Sequence, residues 1–175
     1  MVYPISSIFT TSLSKEKLEQ VVAGHSPQRA GKRVDGLLRT RGRVSSLCFV
    51  EIITHNTALL DARPYRSDAW AVSREIAGAV AQAQRSVQSA QETIGKRLDP
   101  RDDKGDPTGD PPAYLFRPRS IVVAGNLAQF ETPAGLNETK FASFELFRRQ
   151  LQTPEIITFD ELYERARFII ETHEH

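Results

Sequence analysis

The hydrophobic pattern of the chain is organised around one apolar run that contains a single carboxylate. Six of the seven residues at positions 47–53 are apolar, and the seventh is Glu51. Runs of this kind, rich in β-branched and aromatic residues, are typical of a strand covered on both faces. An unpaired buried charge is costly, so Glu51 is predicted to need a cation, a metal ion or a raised pKa.

A second strand is predicted just upstream, over residues 34–40, with a turn at residues 41–43. The resulting hairpin is expected to bring Asp35 beside Glu51. Two carboxylates that converge from neighbouring strands favour a hard divalent cation such as Mg²⁺.

Side-chain alternation defines the rest of this predicted site. Glu51 shares a strand face with Phe49 and Ile53. The carbonyl group of Ile52 lies between two same-facing positions, so we expect it to join Glu51 at the metal ion.

Apolar residues that recur every three or four positions predict the helices. The longest is expected from Ser67 or Asp68 to Ile94, and a capping box of Thr158 and Glu161 begins the last one. The shorter elements are predicted at residues 14–23, 137–151 and 159–171 (helices) and at residues 120–125 and 155–157 (strands).

The order of these elements predicts the fold class. Helix, antiparallel strands, long helix, strand, helix, strand and helix together indicate an α/β domain with a small mixed sheet flanked by helices. With 175 residues, the chain is predicted to form a single domain over 1–175. Residues 1–31 supply its N-terminal helix and loop. Residues 96–113, with four prolines, are predicted to be a mobile surface loop.

Charge changes the picture only locally, because the formal net charge is +1. Residues 29–43 hold a basic cluster in which Asp35 is the only acid, which suits a phosphate group beside a metal ion. A solvated hairpin edge, where cations discourage strand pairing, is the alternative interpretation. The cluster consists of Arg29, Lys32, Arg33, Arg39, Arg41 and Arg43.

The remaining composition excludes several classes of protein. The single cysteine, Cys48, cannot form an internal disulfide and is predicted to be core. No membrane-spanning run or secretory signal pattern is visible, which predicts a cytoplasmic protein without a membrane partner. There is no phosphate-cradling Gly-rich motif and no nucleophile elbow, and His25 and His55 lack zinc-site spacing.

The ordered set of motifs resembles a known family. Asp35 near a strand start is followed by Val-Glu-Ile at 50–52 and by a long helix carrying Gln82; Ile-Val-Val-Ala-Gly at 121–125 and Ile-Ile-Thr-Phe-Asp-Glu-Leu at 156–162 complete the set. Together they resemble the nuclease domain of Shedu anti-phage defence proteins, which belong to the PD-(D/E)xK nuclease superfamily. The resemblance covers residues 32–170.

The resemblance implies a restriction-endonuclease-like fold, homo-oligomers and Mg²⁺-dependent cleavage of DNA phosphodiesters, with Mn²⁺ as a substitute. Asp35 and Glu51 correspond to the two catalytic acids, and Gln82 to the helix glutamine that supports them. A basic hairpin would hold the DNA backbone without reading sequence. The residues expected to contact DNA are Lys32, Arg33, Arg39 and Arg41. Shedu proteins generally carry more N-terminal sequence, which implies an excised domain or a minimal relative.

One position departs from the family pattern. Two residues after the glutamate the pattern has lysine, which positions the attacking water and stabilises developing negative charge, whereas this chain has Ile53. Three explanations are open: a natural or engineered inactivation, a replacement cation such as Lys32 or Arg33, or an ordinary core residue in an unrelated strand.

Three functions therefore compete. The first is a metal-dependent DNA endonuclease domain of a defence system, disabled or impaired at Ile53. The second is a degenerate nuclease fold that binds DNA or senses its ends without cutting. The third is a protein-interaction domain in which Asp35 and Glu51 belong to a structural ion pair.

Overall fold

The computed structural model describes residues 11–12, 35–39, 45–102 and 104–173. The predicted N-terminal helix at residues 14–23 and the predicted turn at residues 41–43 lie outside these ranges.

The described residues form eight strands and three α-helices. The helices are α1 (Arg74–Ile94), α2 (Glu138–Gln150) and α3 (Phe159–His173), and a 3-10 helix spans Leu127–Phe130. The strands are β1 (Thr11–Ser12), β2 (Gly36–Arg39), β3 (Ser45–Ile52), β4 (Arg97–Leu98), β5 (Ala113–Val123), β6 (Glu131–Thr132), β7 (Gly135–Leu136) and β8 (Glu155–Ile157).

Six strands form one mixed sheet. Its order is β1-β2-β3-β5-β4, and β8 pairs with β5. The β1–β2, β2–β3 and β4–β5 pairs are antiparallel, whereas β8 runs parallel to β5. Strands β6 and β7 form a separate antiparallel ribbon. The predicted α/β class with a mixed sheet and helices is therefore confirmed.

The chain divides into two compact units. The first contains Met1–Val50 and Ala83–Ser120. Its described core brings together the inward side chains of β2, β3 and β5 with the C-terminal half of α1, because all of these elements place apolar residues on one face. The buried residues of this core are Leu37, Leu47, Phe49, Ala90, Ala113 and Leu115.

The second unit contains Glu51–Gln82 and Ile121–His175. Phe130 and Phe144 are buried in it, and their ring centroids are 5.8 Å apart. Phe144 lies on the predicted apolar stripe of α2, whose bounds agree with the sequence to within a residue at each end. Strand β8 is also where the sequence placed it, and its Ile156 and Ile157 are buried.

The start of α1 corrects the predicted one at Ser67 or Asp68. The Oγ of Ser73 accepts a hydrogen bond of 3.2 Å from the N–H of Ile76, so Ser73 caps the helix. Asp68 has φ of 60°, outside the helical region. The preceding residues form antiparallel bridges instead, one of which joins Leu60 to Val72.

The segment predicted to be a loop over residues 96–113 contains more structure than expected. Arg97–Leu98 forms β4, and β5 begins at Ala113, seven residues before the predicted strand at 120–125. Between them, the Oδ1 of Asp102 accepts hydrogen bonds of 2.9 and 2.8 Å from the N–H groups of Lys104 and Asp106. The many aspartates of this segment leave it without a hydrophobic period. The side chain of Asp102 nevertheless stabilises a turn.

Candidate active site

Glu51 lies near the end of β3, where the burial of the strand decreases. Phe49 and Val50 are buried, Glu51 is half-buried, and the side chain of Ile52 is 48% exposed. The strand is therefore covered up to Val50 and opens at the carboxylate. The Oε2 atom of Glu51 is itself buried, so the polypeptide still covers this oxygen of the carboxylate.

Helix α1 places Gln82 against this carboxylate. The Nε2 of Gln82 donates a hydrogen bond of 2.6 Å to Oε1 of Glu51, and both residues belong to the second unit. A hydrogen bond to an ionised acceptor is short and stronger than a neutral one. The contact orients the carboxylate.

Ile53 continues the line of β3 beyond its last residue. Its N–H donates a hydrogen bond of 2.9 Å to the carbonyl oxygen of Val123, and its side chain is half-buried. A hydrocarbon side chain supplies neither a charge nor a proton donor. Ile53 therefore cannot perform the role of the lysine that the family pattern has at this position.

The loop after β3 is held by backbone contacts that a glycine permits. The N–H of Gly125 donates to the carbonyl oxygen of Thr54 at 2.9 Å. Gly125 has φ of +63°, and a Cβ there would lie 2.5 Å from Cδ2 of Leu59 and 2.8 Å from the carbonyl oxygen of Thr57. Only glycine allows this approach.

Sequence reasoning missed the part of Gln129. Its Nε2 donates to the carbonyl oxygen of Thr57 at 2.8 Å, and its Oε1 accepts from the N–H of Leu59 at 3.1 Å. This glutamine therefore fastens the loop that follows the candidate carboxylate. No signal in the sequence marks this role, because a 3-10 helix of a single turn is too short to show a hydrophobic period in which a polar residue would stand out.

The remaining predicted site residues belong to the first unit or lie outside the described residues. Asp35 is exposed and directly precedes β2, in which Gly36 is the cross-strand partner of Val50. The Nη2 of Arg39 donates a hydrogen bond of 2.7 Å to the carbonyl oxygen of Pro111. The predicted DNA-contacting residues outside the described ranges are Lys32, Arg33 and Arg41.

The oxygen donors near the end of β3 form a small set. In the ranges that the structure describes, no three or more His, Cys, Asp or Glu side chains come together as metal ligands. A carboxylate such as Glu51 and a backbone carbonyl such as that of Ile52 are hard oxygen donors. Mg²⁺ accepts so small a set, because it is usually held by one or two carboxylates and keeps several water molecules.

A second charged cluster of the same unit is structural. Arg148 donates bonds of 2.7 Å to both carboxylate oxygens of Glu161 and also pairs with Glu145. Burial alone would raise the pKa of Glu161, but the hydrogen bonds from Arg148 and Thr158 outweigh it and lower that pKa to about 2. Glu161 also accepts from the N–H of Thr158 at 3.0 Å, as a capping box requires. This cluster ties α2 to α3.

Comparison with known families decides what the chain is related to. The family described as Shedu protein SduA, C-terminal, matches residues 4–163. The chain belongs to this family.

A curated Shedu relative matches almost the whole chain. It is named Shedu protein SduA, comes from Bacillus cereus (strain B4264), and is 29% identical over 169 residues. The match includes 95% of this chain and 42% of that protein, so the Shedu chain spans less than half the length of its relative. Across the residues that the structure describes, every helix is too short or too polar to cross a bilayer.

Proposed function

We propose that this Shedu chain is a DNA endonuclease domain of an anti-phage defence system, with a PD-(D/E)xK-type site built on Glu51. The hydrogen bond of 2.6 Å from Gln82 to Glu51 is the observation that supports it most directly. The two residues lie 31 positions apart in the sequence, and only the family resemblance predicts that they act together. Membership of the Shedu family makes defence the biological setting of the proposal.

Asp35 is the proposed second carboxylate. It is exposed and directly precedes β2 in the first unit. Its role is proposed from the family pattern, in which it corresponds to the first of the two catalytic acids.

In the proposed site, Glu51, Asp35 and the carbonyl group of Ile52 hold one Mg²⁺ ion, which Mn²⁺ can replace. When bound, the ion polarises the scissile phosphate and lowers the pKa of the attacking water. Gln82 keeps the carboxylate of Glu51 in its ligating orientation. Arg39, together with Lys32, Arg33 and Arg41, contacts DNA phosphates and positions the strand without reading bases.

Ile53 determines how much activity this arrangement retains. With no lysine at this position, the site lacks the cation that stabilises negative charge in the transition state, and losing one such group costs a factor of about 10²–10³ in rate. We therefore expect the native chain to cleave DNA slowly or not at all.

Substitution of Ile53 by lysine tests the proposal. We expect Ile53→Lys to nick supercoiled plasmid in Mg²⁺ at least about tenfold faster than the native chain, because the missing cation is restored. Adding Glu51→Gln to the Ile53→Lys chain is the matched control, and it should abolish the gain. Nicking that survives Glu51→Gln, or no gain in Ile53→Lys, would contradict the proposed site.

A DNA-binding module without cleavage is the second candidate, and Ile53 is the observation that favours it. This module would bind plasmid in EDTA as tightly as in Mg²⁺, because phosphate contacts need no metal ion. If cleavage appears only in Ile53→Lys while the native chain binds DNA, the native chain is a binder with a disabled site.

A further inference from the structure

Strand β5 carries an aromatic pair on its outward face. Tyr114 and Phe116 lie two residues apart, and their rings are nearly parallel, with an interplanar angle of 11° and centroids 5.8 Å apart. Leu115, which lies between the two aromatic residues, and Ala113, which precedes Tyr114, are buried in the core of the first unit. Phe116 is 66% exposed, an unusual surface for a large aromatic residue.

Two arginines follow this pair in β5, and a backbone irregularity leaves both of them exposed. Arg117 has φ of 48°, and the alternation of buried and exposed residues slips there: Leu115 and Pro118 are buried, whereas Phe116 and Arg119 are exposed. A one-residue slip of this kind in a strand re-aims the side chains that follow. It leaves the side chains of Arg117 and Arg119 exposed, close after Phe116 in the strand.

Strand β4 adds a third cation. Arg97 is the cross-strand partner of Tyr114, while its neighbour Leu98 pairs with Ala113 and packs on the core. Arg97 therefore lies on the outward face with Tyr114. Its guanidinium group also pairs with Asp99 at 2.7 Å, which neutralises part of its charge.

We infer that this outward face, consisting of Arg97, Tyr114, Phe116, Arg117 and Arg119, binds single-stranded nucleic acid. Bases stack on exposed aromatic rings in a sequence-tolerant way, and arginines beside the rings pair with the phosphates. A duplex cannot use the rings, because its bases are stacked inside the helix. The juxtaposition of the half-buried Tyr114 ring and the exposed Phe116 ring with arginine side chains thus selects unpaired bases.

This inference rests on the proposed function and deepens it, because it names the form of nucleic acid that the domain engages. It does not need cleavage. We call this outward face the stacking face. Binding to it is measured in EDTA, where no Mg²⁺ is available for cleavage, so the result is independent of the nuclease proposal.

Fluorescence anisotropy of a labelled oligothymidine tests the stacking face. In EDTA we expect the native chain to bind oligothymidine more tightly than a hairpin duplex of equal length. Phe116→Ala should raise the Kd for oligothymidine about tenfold or more, and Phe116→Trp should restore binding, because indole stacks on bases at least as well as phenyl. Arg119→Gln should reduce the slope of log Kd against log salt by about 0.7, the value for one phosphate contact on a single strand.

Tyr163→Ala is the matched control, since Tyr163 is a 64% exposed aromatic residue on α3 in the other unit. It should leave the Kd unchanged. Thermal unfolding of each variant checks that the fold is retained. Equal Kd values for Phe116→Ala and the native chain, no binding of oligothymidine, or a duplex bound more tightly than the single strand would each overturn the inference.

Discussion

At the scale of single residues, Glu51 and Gln82 show how one hydrogen bond gives a strand carboxylate a definite chemical role. The carboxylate lies where the covered part of β3 ends, its Oε2 is buried, and the amide of Gln82 holds its Oε1 at 2.6 Å. A carboxylate held in a fixed orientation is a hard oxygen ligand of the kind that Mg²⁺ prefers. The same residue two positions earlier would have been enclosed by the core.

Gly125 carries the clearest prediction for a single residue. Gly125→Ala should lower the free energy of unfolding by about 2–4 kcal/mol, because alanine is strained at positive φ and its Cβ would collide with Leu59. Urea denaturation measures the loss. Gly78 of α1 provides the control, since no atom lies within 4 Å of a Cβ built there. Gly78→Ala should stabilise by about 0.5–1 kcal/mol, and a similar loss in both variants would contradict the steric explanation.

At the scale of elements, helix α3 is joined to its unit by polar contacts. Glu161 on its first turn pairs with Arg148 of α2, and Arg165 pairs with Glu155 of β8 at 3.2 Å. Leu162, Tyr163 and Ile170 of the same helix are exposed. The stability of this helix against its unit therefore depends on charge, and it should respond to pH.

Acid should weaken this attachment. The pKa of Glu161 is lowered from 4.5 to about 2, so the stability that its carboxylate contributes is fully present above pH 4.5 and is lost as the pH falls towards 2. After allowance for solvent screening, we expect a loss of about 1–2 kcal/mol over this range. Urea denaturation at a series of pH values measures it.

Glu161→Gln should remove most of this acid-dependent loss, because an amide has no charge to lose. Glu164→Gln is the matched control: Glu164 is exposed on the same helix and contacts Arg167 at 3.5 Å. An unchanged pH profile in Glu161→Gln would show that other carboxylates control acid unfolding.

At the scale of the whole molecule, metal binding should appear as added stability. A ligand that binds only the folded chain stabilises it by about 1.4 kcal/mol at ten times its Kd. We therefore expect Mg²⁺ or Mn²⁺ to raise the Tm of the native chain, and Ca²⁺ to do so less, since its larger ion needs more oxygen ligands. Calorimetry with and without the ion measures this shift.

Glu51→Gln should abolish the Mg²⁺-dependent rise in Tm while leaving the fold intact, because an amide is a far weaker ligand for a hard cation. Glu75→Gln, an exposed carboxylate of the first turn of α1, is the control and should keep the rise. A rise of equal size in Glu51→Gln would place the metal ion elsewhere in the molecule.

Family membership also belongs to this scale. The match covers 42% of the curated relative, so the activity of that whole relative is not thereby an activity of this chain. Homo-oligomers, implied by the resemblance, remain a prediction, and so does the single-domain organisation over residues 1–175.

Local patterns along the chain predicted most elements. The apolar run of β3, the stripe of α2, the strand β8 and the capping residues of α3 were all visible, because each depends on the periodicity or hydrogen bonding of near neighbours. The start of α1 and the early start of β5 were predicted wrongly. There the apolar spacing of residues 69–72 and the prolines before Ala113 gave misleading local signals.

What the sequence determined by itself was the strand carrying Glu51, the helix carrying Gln82 and the substitution at Ile53, since these follow from composition and spacing alone. Only the tertiary structure decided that Gln82 meets Glu51, that Gln129 fastens the following loop, and that a bulge at Arg117 leaves arginines exposed beside a pair of aromatic rings. Contacts between residues far apart in the chain depend on how strands and helices pack, and no local period encodes that packing.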